Sequence, residues 1–184
     1  SAGPKRPSGC VILDANGTLV EAKQLRTDLE ILDFFLYRPM AAIGIDAPQG
    51  LPLGMGLCCL EETPTCACPS KGSRLCEREM RARGYPLYPV SKSTFTAAKQ
   101  WIRRGLLLFL RLQTAGIPCY EIYPNAVQKI LFPGQTFPKP KSSTACRKIL
   151  QTCLMERISG LPHWKSTLYS DHILDAMLTA HTAY

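Results

Sequence analysis

A short apolar segment near residue 43 places the strongest constraint on the fold. Residues 41–46 read Ala-Ala-Ile-Gly-Ile-Asp, and the apolar residues do not alternate with polar ones. A strand of this kind is covered on both faces, as the central strands of α/β proteins are. Asp46 then lies at the carboxyl end of the strand, where Pro48 and Gly50 turn the chain away. The sequence therefore predicts an α/β domain that presents a carboxylate at the edge of its sheet.

The remaining elements follow in an order that fits a mixed sheet flanked by helices. A hairpin is expected over residues 9–20, with Asn16-Gly17 in a tight primed turn. Thr27 and Glu30 form a capping box that opens the first helix. Further elements are expected as helices over 74–83, 96–114, 125–131, 145–158 and 171–184, with a strand over 117–123. We expect a single domain over residues 1–184, with a cysteine- and arginine-rich insertion at about 58–90.

Four acidic residues are expected to meet at the edge of this sheet. Asp46 and Glu121 each lie near the carboxyl end of a predicted strand, where ligands of open α/β sheets bind. In the last helix, Asp171, His172 and Asp175 share one face because they fall within an arc of about 100°. Carboxylates gathered in this way repel one another unless a cation such as Mg²⁺ or Mn²⁺ neutralises them. For a single Asp in the first turn, simple complementation of the helix dipole is the alternative.

The positive charge of the chain is concentrated in its middle. The net charge is +8, and between Lys71 and Arg157 sixteen Lys and Arg residues stand against four Glu and no Asp. Such asymmetry favours a polyanionic partner, most simply nucleic acid, whereas a contribution to solubility is the alternative. No phosphate-binding glycine loop of the usual spacing is present, which disfavours nucleotide-driven chemistry.

Nine cysteines are many for a chain of 184 residues. Their odd number, and the lack of a signal-peptide pattern or a membrane-spanning apolar run, favour a cytoplasmic protein with reduced thiols. Five of them fall within nineteen residues: Cys58, Cys59, Cys66, Cys68 and Cys76. We expect a structural zinc site from Cys66, Cys68, Cys76 and one of the adjacent pair, Cys59 in the preferred set. An iron–sulfur cluster and a group of free thiols are the alternatives.

Three motifs together resemble a known family. They are Ile45-Asp46-Ala47-Pro48-x-Gly50-Leu51-Pro52, Glu121-Ile122-Tyr123-Pro124 and Asp171-His172-x-x-Asp175-Ala176, with Arg-x-Cys-Glu-Arg at residues 74–78 between the first two. In this order and spacing they resemble the family named domain of unknown function 429, regarded as predicted nucleases with a ribonuclease H-like fold. The resemblance implies a further first strand, ending in a metal-binding Asp, just before Ser1. We therefore expect the chain to be a fragment, or the ordered part of a longer polypeptide.

The resemblance also implies a mechanism. Asp46, Glu121 and Asp175 would hold one or two Mg²⁺ or Mn²⁺ ions for phosphodiester hydrolysis, with Asp171 beside them and His172 as a ligand or proton-transfer group. The candidate contacts to the phosphate backbone are Arg103, Arg104, Lys139, Lys141, Arg147 and Lys148. Trp101, Tyr85 and Tyr88 are candidates for stacking on bases, with buried packing as the alternative. A non-catalytic nucleic-acid-binding protein on a degenerate scaffold is the alternative function, and a phosphotransferase a third.

Overall fold

The strands form two separate pairs. The protein is described here by a computed structural model covering residues 7–61, 66–69 and 72–184. Strands β1 (Ser8–Leu13) and β2 (Leu19–Leu25) pair antiparallel, whereas β3 (Ile43–Ile45) and β4 (Cys119–Glu121) pair parallel. The expected α/β class is confirmed. Instead of one mixed sheet, however, the described residues form two two-stranded sheets, because no strand among them joins β1 to β3.

Six α-helices surround the strands in the described part of the chain. They are α1 (Asp28–Leu36), α2 (Leu75–Ala82), α3 (Thr96–Thr114), α4 (Pro124–Leu131), α5 (Thr144–Met155) and α6 (Asp171–Ala183), and a short 3₁₀ helix covers Leu57–Leu60. The capping box of Thr27 and Glu30 is present at the start of α1. The expected bounds of α3 are confirmed, and Gly116 lies just beyond its end with a φ of 81°. None of these helices is both long and apolar enough to cross a bilayer.

The first hairpin closes with a longer loop than the two-residue turn predicted for it. The backbone N–H of Asp14 donates to the carbonyl of Thr18 at 3.0 Å, which leaves residues 15–17 as the loop. One carboxylate oxygen of Asp14 accepts the N–H groups of Asn16 and Thr18 at 2.8 and 2.9 Å. Gly17 takes a φ of 72°, a conformation that side-chain-bearing residues rarely adopt. The carboxylate of Asp14 thus satisfies two N–H groups of the loop.

Successive residues of β1 face opposite helical layers. Val11 joins a core with α5 and α6 that includes Leu150 and Leu174. Its neighbours Cys10 and Ile12 join a second core formed by α1, α3, β3 and β4. This alternation is the period of a strand buried on both faces, so the strands lie between two helical layers.

Helix α6 packs closely against both pairs of strands. A Cβ atom added to Gly9 of β1 would overlap the carbonyl of His172 and approach the nitrogen of Ile173 to 2.8 Å. A Cβ atom added to Gly44 of β3 would lie 2.7 Å from the side chain of Thr179. Glycine at these two positions therefore allows the α6 backbone to lie directly on the strands.

The close approach at Gly9 predicts a strong effect of one methyl group. We expect Gly9→Ala to destabilise the protein by about 2–3 kcal/mol, because helix backbone cannot yield as a flexible side chain does. Gly50→Ala is the matched control, since an added Cβ there meets nothing within 4 Å. Urea denaturation followed by circular dichroism measures both variants, and equal stabilities would contradict the packing described for α6.

Candidate functional site

The carboxylate of Asp46 lies where β3 ends, as its sequence position predicts. The carbonyl of Asp46 accepts a hydrogen bond from the indole Nε1 of Trp101 at 3.1 Å, which ties the strand end to α3. The strand itself is fixed by hydrogen bonds with β4, since the N–H of Ile43 donates to Pro118 and the carbonyl of Ile45 accepts from Ile122. Backbone hydrogen bonds on one side and the indole on the other therefore set the position of this carboxylate.

A cleft of about 1240 Å³ opens between β1, β3 and α6. Four of the five predicted acid-and-imidazole residues line it: Asp46, Asp171, His172 and Asp175. Asn125 and Lys129 of α4 also border the cleft. The predicted meeting of the β3 end with the first turns of the last helix is thus present in the structure.

The carboxylates in this cleft are hard to ionise. Burial by the cleft walls, together with the charges of Asp175 and Glu121, raises the pKa of Asp46 to about 6. By accessible surface Asp46 is nevertheless an exposed residue, so the walls withdraw only part of its hydration and solvent screens the shift. Burial also raises the pKa of Asp175, and Asp171 adds to this while Lys141 opposes it. The negative charges therefore lie close enough together to act on one another.

Lys141 is the cation that neutralises Asp175. Its Nζ forms an ion pair with Asp175 and donates to the Oδ1 atom of Asn125 at 3.2 Å. The sequence predicted a phosphate contact for this lysine; in the structure its ammonium pairs with one carboxylate of the acidic cleft. An ammonium group thus occupies the position beside Asp175 where the neighbouring carboxylates favour positive charge.

Glu121 lies at the end of β4 but is held by other partners. Its Oε2 atom accepts the guanidinium of Arg74 at 2.8 Å and the backbone N–H of Gln49 at 2.7 Å. The hydroxyl of Tyr123 donates to its other oxygen. Glu121 borders a smaller pocket of about 620 Å³ together with Arg74 and does not line the large cleft. In the described part of the chain, no three of the predicted acid and imidazole groups bring ligand atoms within 4.8 Å of one another.

Arg74 belongs to a buried ion network that the sequence analysis did not identify. Its Nε donates to Glu77 at 2.6 Å, and both side chains are buried, Glu77 to 1% exposure. The same carboxylate accepts the backbone N–H of Val90 at 3.1 Å, and the guanidinium of Arg74 donates to the Tyr123 hydroxyl at 2.6 Å. The spacing of Arg74 and Glu77 at i and i+3 was the available signal, because such pairs meet on one helix face.

Of the other side chains predicted to contact phosphate, three make contacts within the described residues and two do not. Arg104 is ion-paired with Asp28, Arg147 donates to the carbonyl of Tyr169 at 3.2 Å, and Lys148 lies over the ring of Trp164 at 4.3 Å. Arg103 and Lys139 are exposed and have no hydrogen-bond or ion-pair partner in the part of the chain that the structure describes. These two side chains are therefore the ones available to an external anion.

Two of the three residues predicted to stack on bases, Tyr88 and Trp101, make aromatic contacts within the protein. Tyr88 and Trp101 meet edge to face, with ring centroids 6.2 Å apart, and Tyr88 meets Phe95 in the same way. Tyr85, Tyr88 and Trp101 all line the large cleft. The indole is partly buried and hydrogen-bonded, so packing accounts for its position.

Four cysteine thiols converge outside the acidic cleft. The Sγ atoms of Cys58, Cys59, Cys66 and Cys68 all lie within 4.8 Å of one another, and this arrangement could hold a metal ion such as zinc. Cys58 completes the set in place of Cys76, which is exposed on α2 and does not join it. Both members of the adjacent pair belong to the short 3₁₀ helix, and the sulfurs of both lie in the cluster. Cys10, Cys119 and Cys146 are buried and Cys153 partly buried, largely as small apolar residues would be.

The raised pKa of Asp46 has a consequence for stability. A carboxyl with a higher pKa in the folded protein than in the unfolded chain destabilises the fold once it ionises. Without metal, the free energy of unfolding therefore falls as pH rises from about 4 through 6. We expect Asp46→Asn to raise the melting temperature at pH 7 by about 2–4 °C, which corresponds to about 1 kcal/mol after allowance for solvent in the cleft. The gain should vanish near pH 4.

Differential scanning fluorimetry in chelator across this pH range measures the effect. Asp33→Asn, an exposed carboxyl on α1, is the control and should change little. A lower melting temperature for Asp46→Asn at pH 7 would contradict the electrostatic description of the cleft.

The ion network of Arg74 predicts a large loss on removal of one partner. We expect Glu77→Ala to cost about 3–5 kcal/mol, because it leaves a buried guanidinium and the N–H of Val90 without this carboxylate. Glu79→Ala on the exposed face of the same helix is the control. Chemical denaturation measures both, and a loss below about 1 kcal/mol for Glu77→Ala would show that the network contributes little.

Comparison with known proteins identifies the family but brings no characterised relative. A search of curated proteins and a search of solved structures each return no match. A family model described as "Protein of unknown function (DUF429)" matches residues 4–184. The match spans both pairs of strands, the acidic cleft and the thiol cluster. The chain therefore belongs to this family.

Proposed function

We propose that the protein is a metal-dependent nuclease that hydrolyses phosphodiester bonds of nucleic acid in the cleft between β3 and α6. The observation that carries the proposal is the meeting of Asp46 with Asp175, from distant parts of the chain, in one cleft of about 1240 Å³. Each carboxyl is hard to ionise there, and the two charges act on each other. Such a site gains stability when a cation enters it.

The chemistry of the donor set fits Mg²⁺ or Mn²⁺. Asp46 and Asp175 would hold the metal, with Asp171 and His172 lining the same cleft. Hard divalent cations of this kind bind carboxylate oxygens and stabilise the negative charge that develops on a reacting phosphate. Glu121 is the third predicted ligand, and in the described arrangement the guanidinium of Arg74 already neutralises it.

Lys141 gives the site a way to exchange cations. In the structure its ammonium neutralises Asp175 from a position next to Asn125. With a metal bound at Asp175, the ammonium of Lys141 would be free to contact a phosphate oxygen. The same residue thus fits both its observed ion pair and its predicted role at the nucleic-acid backbone.

Substrate binding in this proposal depends on charge rather than on base sequence. Arg103 and Lys139 are exposed, and basic side chains of this kind position a phosphate backbone without reading bases. His172 lines the cleft beside the two carboxylates, from where it can hold or supply a proton at the leaving oxygen. The reduced thiols of the cysteine cluster suit a reducing compartment, so the proposal places the protein in the cytoplasm.

The fold part of the proposal is a ribonuclease H-like sheet. Helix α6 touches β1 at His172 and β3 at Thr179, seven residues apart on nearly the same face. The corresponding rise is about 10 Å, roughly twice the spacing of neighbouring strands. One additional strand in the part of the cleft between β1 and β3 would therefore join the two pairs into a five-stranded sheet, as the resemblance implies, and the space left for substrate would be correspondingly smaller.

A non-catalytic nucleic-acid-binding protein is the second candidate, and two contacts favour it. Arg74 is paired with Glu121, and Lys141 is paired with Asp175. Two protein cations thus stand where a catalytic site would need metal. In this alternative the basic side chains still bind nucleic acid, but no turnover follows.

Substitution of Asp175 separates the two candidates. We expect the wild-type protein to cleave labelled nucleic acid in Mg²⁺ or Mn²⁺, and Asp175→Asn to lower the rate at least about 100-fold because the metal loses an anionic ligand. Gel analysis with single-stranded, duplex and branched substrates measures cleavage, and fluorescence anisotropy measures binding. Asp33→Asn on exposed α1 is the control and should retain full activity.

The outcome that would overturn the nuclease is equally clear. Tight binding without cleavage in either metal, unchanged by Asp175→Asn, would establish the non-catalytic alternative. Cleavage that survives Asp175→Asn would place the reaction outside this cleft.

A further inference from the structure

The thiol cluster has the dimensions of a site for a single metal ion. The sulfur atoms of Cys59 and Cys66 are 3.2 Å apart, those of Cys58 and Cys68 are 3.5 Å apart, and all four lie within 4.8 Å of one another. Four thiolates bound tetrahedrally to zinc at about 2.3 Å lie about 3.8 Å from one another. Two of the observed separations are slightly shorter than this value, and the others do not exceed 4.8 Å. A small contraction or expansion of the cluster would therefore complete the coordination sphere.

We propose that Cys58, Cys59, Cys66 and Cys68 bind one Zn²⁺ ion as a structural site. Four protein thiolates fill the tetrahedral coordination of zinc and leave no position for water or substrate, which excludes a catalytic role for this ion. The site lies apart from the acidic cleft and does not depend on the proposed nuclease activity. An iron–sulfur cluster distributes its thiolates over several iron atoms and so needs a wider set than one confined to 4.8 Å.

The surroundings compensate the charge that such a site carries. Zinc with four thiolates has a net charge of about −2. The Nζ atom of Lys92 donates to the carbonyls of Cys68 and Cys66 at 2.5 and 3.4 Å. Lys99 is 4% exposed, donates to the carbonyl of Glu61 at 3.0 Å and forms no ion pair within the described residues. A buried ammonium favours negative charge in its surroundings, and Lys99 is bound to the backbone two residues after Cys59.

The backbone around the sulfurs leaves room for them. A Cβ atom added to Gly56 would lie 3.3 Å from the sulfur of Cys58 and 3.5 Å from that of Cys68. The N–H of Cys59 donates to the carbonyl of Gly56 at 3.0 Å, which closes the 3₁₀ turn that presents both adjacent cysteines. A residue without a side chain therefore stands next to two of the four ligands.

The site would anchor a part of the chain that has little regular structure. Among the described residues between β3 and α2, the 3₁₀ helix is the one helical element. Cys59 belongs to a small core with Met55, Leu60 and Ile102, and Trp101 packs against this core. Because the indole of Trp101 also donates to Asp46, zinc at the thiols would stabilise one wall of the acidic cleft.

Metal analysis of the purified protein tests the proposal. We expect one zinc per chain by inductively coupled plasma mass spectrometry after purification with reductant and without chelator. Cys59→Ser should lose the zinc, whereas Cys76→Ser should keep it, because Cys76 lies outside the set. Removal of zinc should lower the melting temperature by about 10 °C or more.

A second measurement keeps the test independent of how well the variants fold. Titration of the wild-type protein with a mercurial should release the zinc in step with the blocking of four thiols, and cobalt substitution should give the absorption bands of a tetrahedral thiolate site. Zinc that is absent, or replaced by iron, would overturn the proposal. So would an intact mass lower by four hydrogen atoms, which indicates two disulfides instead. Retention of zinc by a folded Cys59→Ser protein would overturn the assigned ligands.

Discussion

The packing of α6 on two pairs of strands is the interaction on which the rest of the structure depends. Among the described residues no hydrogen-bond ladder connects β1 to β3, so the helix is what brings the pairs together on that face. Its backbone lies against Gly9 of one pair and Gly44 of the other, and its apolar side, with Leu174 and Met177, fills the core beneath. Burial of these side chains offsets the absence of continuous backbone pairing, because apolar burial is the dominant favourable term in folding.

This packing also creates the electrostatic problem of the cleft. The face of α6 that meets β3 carries Asp175 towards Asp46, and the walls that bury apolar side chains also remove water from these carboxylates. Two ion pairs reduce the repulsion between the carboxylates: Lys141 pairs with Asp175, and Arg74 pairs with Glu121. These two protein cations neutralise Asp175 and Glu121, and they leave Asp46 and Asp171 without an ion pair among the described residues. A cleft with this distribution of charge attracts a further cation.

Features set by local sequence were predictable, whereas those set by contacts across the chain were not. The capping box of Thr27, the bounds of α3 and the position of Asp46 follow from spacing within a few residues. The ion pair of Lys141 with Asp175 joins residues 34 positions apart, and no periodic pattern encodes such a contact. The sequence predicted Cys76 as the fourth thiol, and the structure has Cys58 in its place. The reason is the same, because the set of thiols depends on how the chain folds back after the 3₁₀ helix. Sequence reasoning therefore identified the chemical groups but not all of their partners.

The segment between β3 and α2 shows why these partners matter. In its described residues it has few backbone hydrogen bonds to hold it, yet groups of side chains hold it in its middle and at its α2 end. In the middle the thiols gather beside the core under Trp101; at the α2 end, Arg74 joins Glu77 and Glu121 in a buried network. A buried ion pair contributes little net stability, because desolvation offsets much of the attraction, but it strongly disfavours any arrangement that separates its partners. The ion network therefore acts on conformation more than on net stability, and it holds the carboxylate of Glu121 outside the large cleft, whereas the core beside the thiols reaches that cleft through Trp101 and the carbonyl of Asp46.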